Sequence, residues 1–205
     1  MRNGQMPIPR VSKTFVVSSN LTAPAKPALR VFLNTIANYR SVAKRGFIMN
    51  ISVRYARRDE LERVNVLRRM VNDLHAQGRP DVFRPGFCED LQRHAYDVFD
   101  APDCDVIVAC MDDVICGFAI AEYISRPQSP YLCARRFYHI QEFGVDQAYR
   151  RRGVATAMIN FCRSEAKRMR FDRIELDVWA FNTEAQRFYE AMGFQAYRCF
   201  MEERI

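Results

Sequence analysis

The segment from Phe137 to Met169 constrains the fold more than any other part of the chain. An apolar run, Phe137 to Asp146, leads into polar Gln147 to Arg152. Gly153 then opens a stretch with Ala155, Met158, Ile159, Cys162, Ala166 and Met169 at helical spacing. A strand feeding an amphipathic helix through a short polar turn buries both apolar faces only in a layered fold of sheet and helices. In Arg150-Arg151-Arg152-Gly153-Val154-Ala155, the first amides of that helix and its positive end converge where a phosphate could sit. Small residues at 153 and 155 permit close approach. Taken alone the hexapeptide is weak, because a glycine between strand and helix is more often a plain turn.

The same alternation of elements begins at Met49. Ile51 to Ala56 alternates like a half-buried strand, and Asp59 with Glu62 forms an N-cap and capping box for a helix running to about His75. Leu61, Val64, Leu67, Val71 and Leu74 keep helical spacing, and Gly78, Pro80 and Pro85 break the chain before a second helix, Glu89 to Phe99. Asp105 to Met111 and Cys116 to Ser125 read as a hairpin joined by Asp112-Asp113. Arg173 to Trp179 reads as a strand. Asn182 is the N-cap of a helix Thr183 to Met192, Gly193 ends it, and Phe194 to Glu203 is predicted to close the sheet. This order gives one α/β (α+β) domain, residues 49–205, around a mixed sheet flanked by helices.

Charge divides the chain differently. The net charge is +7, but residues 1–48 carry eight basic side chains and no acidic one, so the remainder is nearly neutral. A basic polyanion-binding domain is therefore not expected. The first 48 residues read as disordered or as an Arg-rich targeting segment. A third reading starts from Val17 to Thr22, which can be encoded by GTA AGT TCG AAT CTT ACC. The ends of that string are complementary around TTCGAAT, the form of a tRNA T-arm, which predicts translation from Met49 and a start assigned inside a neighbouring tRNA gene. Seven cysteines, an odd number without a CxxC pair, read as reduced buried thiols, with no zinc site. His94 and His139 have no partner at metal spacing and read as structural. No apolar run reaches the length of a membrane span, and a soluble cytoplasmic protein is expected.

A second motif lifts the first above a plain turn. After Ile174 to Trp179 comes NTEAQRFYEAMGF, with Asn182, Ala185, Phe188, Tyr189, Glu190, Gly193 and Phe194. Together with the strand and the loop Arg150 to Ala155, these residues resemble the GNAT acetyltransferase superfamily. Its pattern is a strand, R/Q-x-x-G-x-G/A, a helix, a strand, then N-x-x-A-x-x-F-Y-E-x-x-G-F. The resemblance implies a splayed strand pair that admits acetyl-CoA as acyl donor. The pyrophosphate would rest on Arg151, Arg152, Gly153, Val154 and Ala155, with charge from Arg150 and Arg151. Val145, Asn182 and Phe188 would flank the pantetheine arm. Direct attack of a neutral amine on the thioester would need a base, for which Glu142 is the candidate, acting through water, with a solvated strand carboxylate as the alternative. Tyr189 would protonate the departing thiolate, its alternative being a core aromatic. On the acceptor side the candidates are His75, Arg79, Asp81, Phe83 and Arg84, with Tyr138 and Trp179 flanking the same opening. Asp81 reads equally as a turn residue and His75 as a helix cap.

These features lead to an N-acetyltransferase acting on the primary amine of a small molecule or protein. Transfer of another acyl group, or a non-catalytic CoA-binding sensor, remain the alternatives. No nucleic-acid or membrane partner is expected, and a homodimer is compatible with the resemblance.

Overall fold

In the computed structural model the described residues are Lys13–Thr14 and 50–205. The three readings of the N-terminal segment otherwise lie outside them. In chain order the elements are β1 (Lys13–Thr14), β2 (Ile51–Tyr55), a 3-10 turn (Arg58–Glu60), α1 (Leu61–Gly78) and α2 (Glu89–Asp100). Next come β3 (Cys104–Met111), β4 (Val114–Arg126), β5 (Arg135–Val145), a 3-10 turn (Gln147–Tyr149), α3 (Val154–Arg168), β6 (Arg173–Leu176) and α4 (Thr183–Ala191). Strands β2, β3, β4 and β5 form an antiparallel run. The free edge of β5 pairs in parallel with β6 along Phe137 to Ile140, and with Lys13 and Thr14 at Glu142 and Phe143. The β3–β4 hairpin turns on Asp112 (φ 49) and Asp113 (φ 65), the left-handed pair of a tight hairpin that aspartate tolerates.

Apolar side chains cover both faces of this sheet. On one, Leu61, Val64, Leu67 and Val71 of α1 and Val98 of α2 meet Val106, Val108, Phe118 and Ile120. On the other, Met158, Ile159 and Cys162 of α3 and Ala185 and Tyr189 of α4 meet Ile107, Ala119, Tyr138, Ile140, Phe143 and Val145. The second set exposes a change of phase in β5. Residues 138 and 140 face α3, and so do 143 and 145. The reversal comes from a bulge: Ile120 pairs with Glu142 and Ala121 with Ile140, so Gln141 is an extra residue. Glu142 and Gly144 are thereby turned to the α1 face. There a Cβ on Gly144 would stand 2.8 Å from Val71 and 2.7 Å from Phe118, so α1 packs on bare backbone.

Four local expectations are corrected. The capping box is formed by Arg57 and Glu60 instead of Asp59 and Glu62, because Arg54 on β2 draws the Glu60 carboxylate inward at 2.7 and 2.8 Å, where it accepts from the Arg57 N–H. Helix α1 continues past His75 to Gly78, since a glycine ends a helix without having to precede its last turn. Strand β6 stops at Leu176, short of Trp179, because its pairing partner reaches the Gln141 bulge one residue past Ile140 and the ladder is broken there. Residues 194–203 are not a strand. Four residues of β6 offer too short an edge to template one, and side chains hold the segment instead, with the Tyr197 hydroxyl donating to Glu175 at 2.8 Å. Among the described residues no helix is long and apolar enough to cross a membrane.

Candidate active site

Past Ile140 and Leu176 the pairing of β5 and β6 ends, and the loop after β5 approaches the start of α4, where Glu184 feels the charges of Arg150 and Arg151. The loop between β5 and α3 is built by two left-handed residues, Arg151 (φ 59) and Gly153 (φ 87). At Gly153 there is room for a Cβ, the nearest atom being Ile51 Cδ1 at 3.7 Å, so the glycine supplies backbone conformation and not space. Val154 follows as the first helical residue, and the amides of this first turn have no acceptor within the helix. The loop is pinned at its start: Asp146 accepts from the Ala148 N–H at 3.1 Å and from Arg63 at 2.7 Å. Arg150 donates through Nε to the Val145 carbonyl at 3.2 Å, and its partial burial lowers its pKa. Glu184, in the first turn of α4, is raised by burial, against the opposing pull of Arg150 and Arg151. A half-buried guanidinium beside free helix amides is a preformed seat for an anion.

Helix α4 forms the facing wall. The Asn182 side chain accepts from the Ala185 N–H at 3.2 Å as N-cap. At the other end Phe194 N–H donates to Tyr189 O at 2.9 Å and Gly193 N–H to Glu190 O at 2.8 Å, both bonds of a Schellman turn. The Tyr189 and Phe194 rings, 5.6 Å apart, supply the apolar contact that accompanies such a turn. This fixes the Tyr189 ring against Phe143, Phe188 and Phe194. Tyr189 is 2% exposed, and its hydroxyl has no hydrogen-bond partner. Burial, with the nearby Cys162, pushes its pKa well above the ordinary value, so it remains a proton donor. A buried hydroxyl without a partner on α4 and an anion seat at the start of α3 fit a ligand with a phosphate end and an acceptor atom further along, as acyl-CoA has.

Five of the seven acceptor candidates meet in one cluster, and Arg84 is exposed outside it. The His75 ring stacks on Phe83 at 5.1 Å, Phe83 meets Trp179 edge-on at 5.1 Å, and Phe181 lies between Trp179 and His75. Asp81 is joined to this wall through Arg79, which donates to it through Nε and Nη2 at 2.9 Å and lies 5.7 Å over the Trp179 ring. His75 is fully buried behind Phe83, so it supports the wall and is not a helix cap. Tyr138 does not join them. It faces α3, is fully buried, and donates to Asp105 at 2.7 Å. Its position before the Gln141 bulge puts it on the opposite side of the sheet from Glu142, so it is corrected from a flank of the opening to a core residue.

Glu142 is neither solvated nor free. It is 5% exposed, and both its oxygens accept from Arg68 at 2.8 Å. Arg68 belongs to a feature that the apolar periodicity of α1 conceals. Asn65, Arg68, Asn72 and His75 form a second buried stripe along that helix. Asn65 donates to Gln92 O, Arg68 to Leu91 O, and Asn72 to Gly86 O, so the stripe holds the acceptor loop and the start of α2. Polar residues spaced three, four and three apart, beside an apolar stripe, were the sequence signal for it. His139 makes a contact that metal spacing did not anticipate: its Nε2 lies 3.3 Å from Asp177, just past the end of β6. Among the described residues no three His, Cys, Asp or Glu side chains group to hold a metal, and all seven cysteines are unbridged.

Comparison with known proteins bears on the family and the fold. The sequence model of the Acetyltransferase (GNAT) family matches residues 70–194. The chain is 33% identical over 138 residues to an L-amino acid N-acetyltransferase of Escherichia coli, a match covering 61% of this chain and 75% of that protein. It is 26% identical over 121 residues to an L-ornithine N5-acetyltransferase of Arabidopsis thaliana, covering 58% of this chain and 51% of that one. Among solved structures, a mutant of the BH1408 protein from Bacillus halodurans superposes with a TM-score of 0.72 at 24% identity, covering 75% of this chain and 99% of that one. The aminoglycoside acetyltransferase AAC(6')-Iy, solved with a bisubstrate analogue of CoA, superposes at 0.60 and 21% identity, covering 76% and 98%; both likenesses concern the fold.

Proposed function

Because the chain belongs to the acetyltransferase (GNAT) family, we propose that it transfers an acetyl group from acetyl-CoA to the primary amine of a small molecule, by direct attack. The observation that carries this reading is the Tyr189 hydroxyl, buried and without a partner, aligned in sequence with the tyrosine of the family motif. The names of the amino-acid and ornithine acetyltransferases it resembles support a small acceptor.

In this reading the amides of Arg151 to Ala155 and the side chains of Arg150 and Arg151 hold the pyrophosphate, the positive end of α3 adding to the attraction. The β5 backbone at Val145, with Asn182 and Phe188 opposite, lines the channel of the pantetheine arm. Acetyl-CoA supplies an activated acyl group whose thiolate leaves readily, since a thiol has a pKa of about 8.5. Tyr189 donates its proton to that sulfur as the new amide forms and regains one from the attacking nitrogen, which sheds its surplus proton in the same step. Glu142, whose two oxygens accept from Arg68, orients the water that takes the proton of the incoming ammonium. A carboxylate that already binds a guanidinium is a weak base, so its contribution is chiefly to orient that water. Phe83, Trp179 and Phe181, backed by the buried His75, present an apolar wall to the acceptor.

The test is release of free thiol from acetyl-CoA over a panel of amino acids, polyamines, aminoglycosides and peptide N-termini. Release dependent on one amine class supports the enzyme, and tight acetyl-CoA binding without release over the whole panel would overturn it in favour of a sensor. A larger acyl donor in the same assay separates acetyl from other acyl transfer.

A further inference from the structure

The acceptor wall contains a cation, Arg79, one edge of which is filled by a carboxylate of the terminal segment. Arg79 presents two forks. Its Nε and Nη2 edge is occupied by Asp81. Its Nη1 and Nη2 edge is occupied by the Glu202 carboxylate, at 2.9 and 3.0 Å. The two partners differ in how firmly they are held. Asp81 lies two residues from Arg79 on the same loop, and the Arg79 guanidinium beside it holds its carboxyl down at about 2; Arg204, from the same terminal segment as Glu202 and 77% exposed, reaches it at 2.7 Å. Glu202 sits in an irregular terminal segment and is 61% exposed, whereas Arg79 is 21% exposed and lies over Trp179. An exposed ion pair of this kind contributes little and exchanges readily. A guanidinium fork with one edge anchored and the other bound to a carboxylate in two-point geometry is a carboxylate receptor.

We propose that Glu202 is a placeholder: the site accepts amines that also bear a carboxylate, and the substrate's carboxylate displaces Glu202 from the Nη1 and Nη2 edge of Arg79. Asp81 then orients the guanidinium, and the aromatic wall of Phe83 and Trp179 takes the rest of the acceptor. Arg79 is thus a specificity-determining residue that reads free amino acids against amines lacking the acid group. This rests on the acetyltransferase reading given above.

The experiment measures KM for free L-amino acids and for the matching L-amino acid amides, in the full chain and in Arg79→Gln and Glu202→Gln. The amide keeps the reacting amine and side chain and removes only the carboxylate. Arg79→Gln is expected to raise KM for the acids about tenfold or more, as loss of a charge-assisted pair does, and to leave KM for the amides within about twofold. Glu202→Gln is expected to lower KM for the acids about threefold by removing the competitor, and to tighten calorimetric binding of the free amino acid to the same degree. Equal shifts for acids and amides in Arg79→Gln, or no gain for acids in Glu202→Gln, would overturn the proposal while leaving the enzyme intact. No turnover of any amine would instead remove the reading on which it rests.

Discussion

Replacing Tyr189 with Phe removes one oxygen and nothing else, and the structure predicts opposite effects on stability and on catalysis. The hydroxyl is buried and has no partner in the protein, so the folded state carries a desolvated donor that the unfolded chain solvates. Leaving a buried polar group unpaired costs about 1–3 kcal/mol, and its removal at constant ring volume should return about 1 kcal/mol of that. For a chain of this size that is a rise in Tm of about 2–4 °C. The ring contacts with Phe143, Phe188 and Phe194 are unchanged by the substitution. Catalysis should move the other way. A positioned acid contributes about 10²–10⁴-fold, but a thiolate with a pKa of about 8.5 leaves without much help, so a loss nearer tenfold in kcat is expected. Because burial holds Tyr189 protonated, the wild-type rate should show no fall from its ionisation on the alkaline side of an ordinary pH profile. The assays are calorimetric melting of the two proteins and thiol release at saturating acetyl-CoA. A Tm lowered by several degrees with turnover unchanged would refute the argument, since it would mean the hydroxyl has a structural partner and no catalytic one.

Arg68→Met should destabilise by about 3–5 kcal/mol by leaving Glu142 charged, buried and unpaired, whereas Arg68→Met with Glu142→Leu should cost clearly less than the two changes summed. Urea titration reads both, and additivity within about 0.5 kcal/mol would show that the pair is not coupled. Gly153→Glu puts a side chain on a left-handed residue and a negative charge at the anion seat, so acetyl-CoA binding by calorimetry should disappear; unchanged affinity would remove the pyrophosphate from that loop. The hydrogen bond from Arg54 holds the Glu60 carboxyl at about 2. Its folded pKa is below its unfolded one, so its contribution is complete above about pH 4.3 and is lost as pH falls towards 2. The difference in urea midpoint between wild type and Glu60→Gln should therefore shrink across that interval, and a constant difference would argue against the linkage.

Elements whose limits are set by local chemistry were legible in the sequence. The paired aspartates of the β3–β4 turn, the left-handed Gly153, the Asn182 cap and the Gly193 terminator each impose a backbone conformation through a single residue type. Features decided by a distant partner were not. The capping box moved because Arg54 reaches across from β2, and β6 is shortened by a bulge on its neighbour. Apolar periodicity found the sheet-facing stripe of α1, yet the polar stripe beside it acquires meaning only once β5 and the 86–92 segment are packed against it. Tyr138 was misread for a related reason. Strict alternation along β5 places residues 138, 140 and 142 on one face, and nothing in their identities announces that an extra residue intervenes.

That extra residue makes length, more than composition, the fragile quantity in β5. Substituting Gln141 leaves every neighbour facing as before. Deleting it would act like a frameshift in three dimensions: Glu142 would turn towards α3, away from Arg68, and Phe143 would be delivered to the polar stripe of α1. Both sides of the sheet would then carry the other's chemistry. Relatives of this chain can therefore be expected to vary in what occupies the bulge while conserving the number of residues between Ile140 and the anion-binding turn.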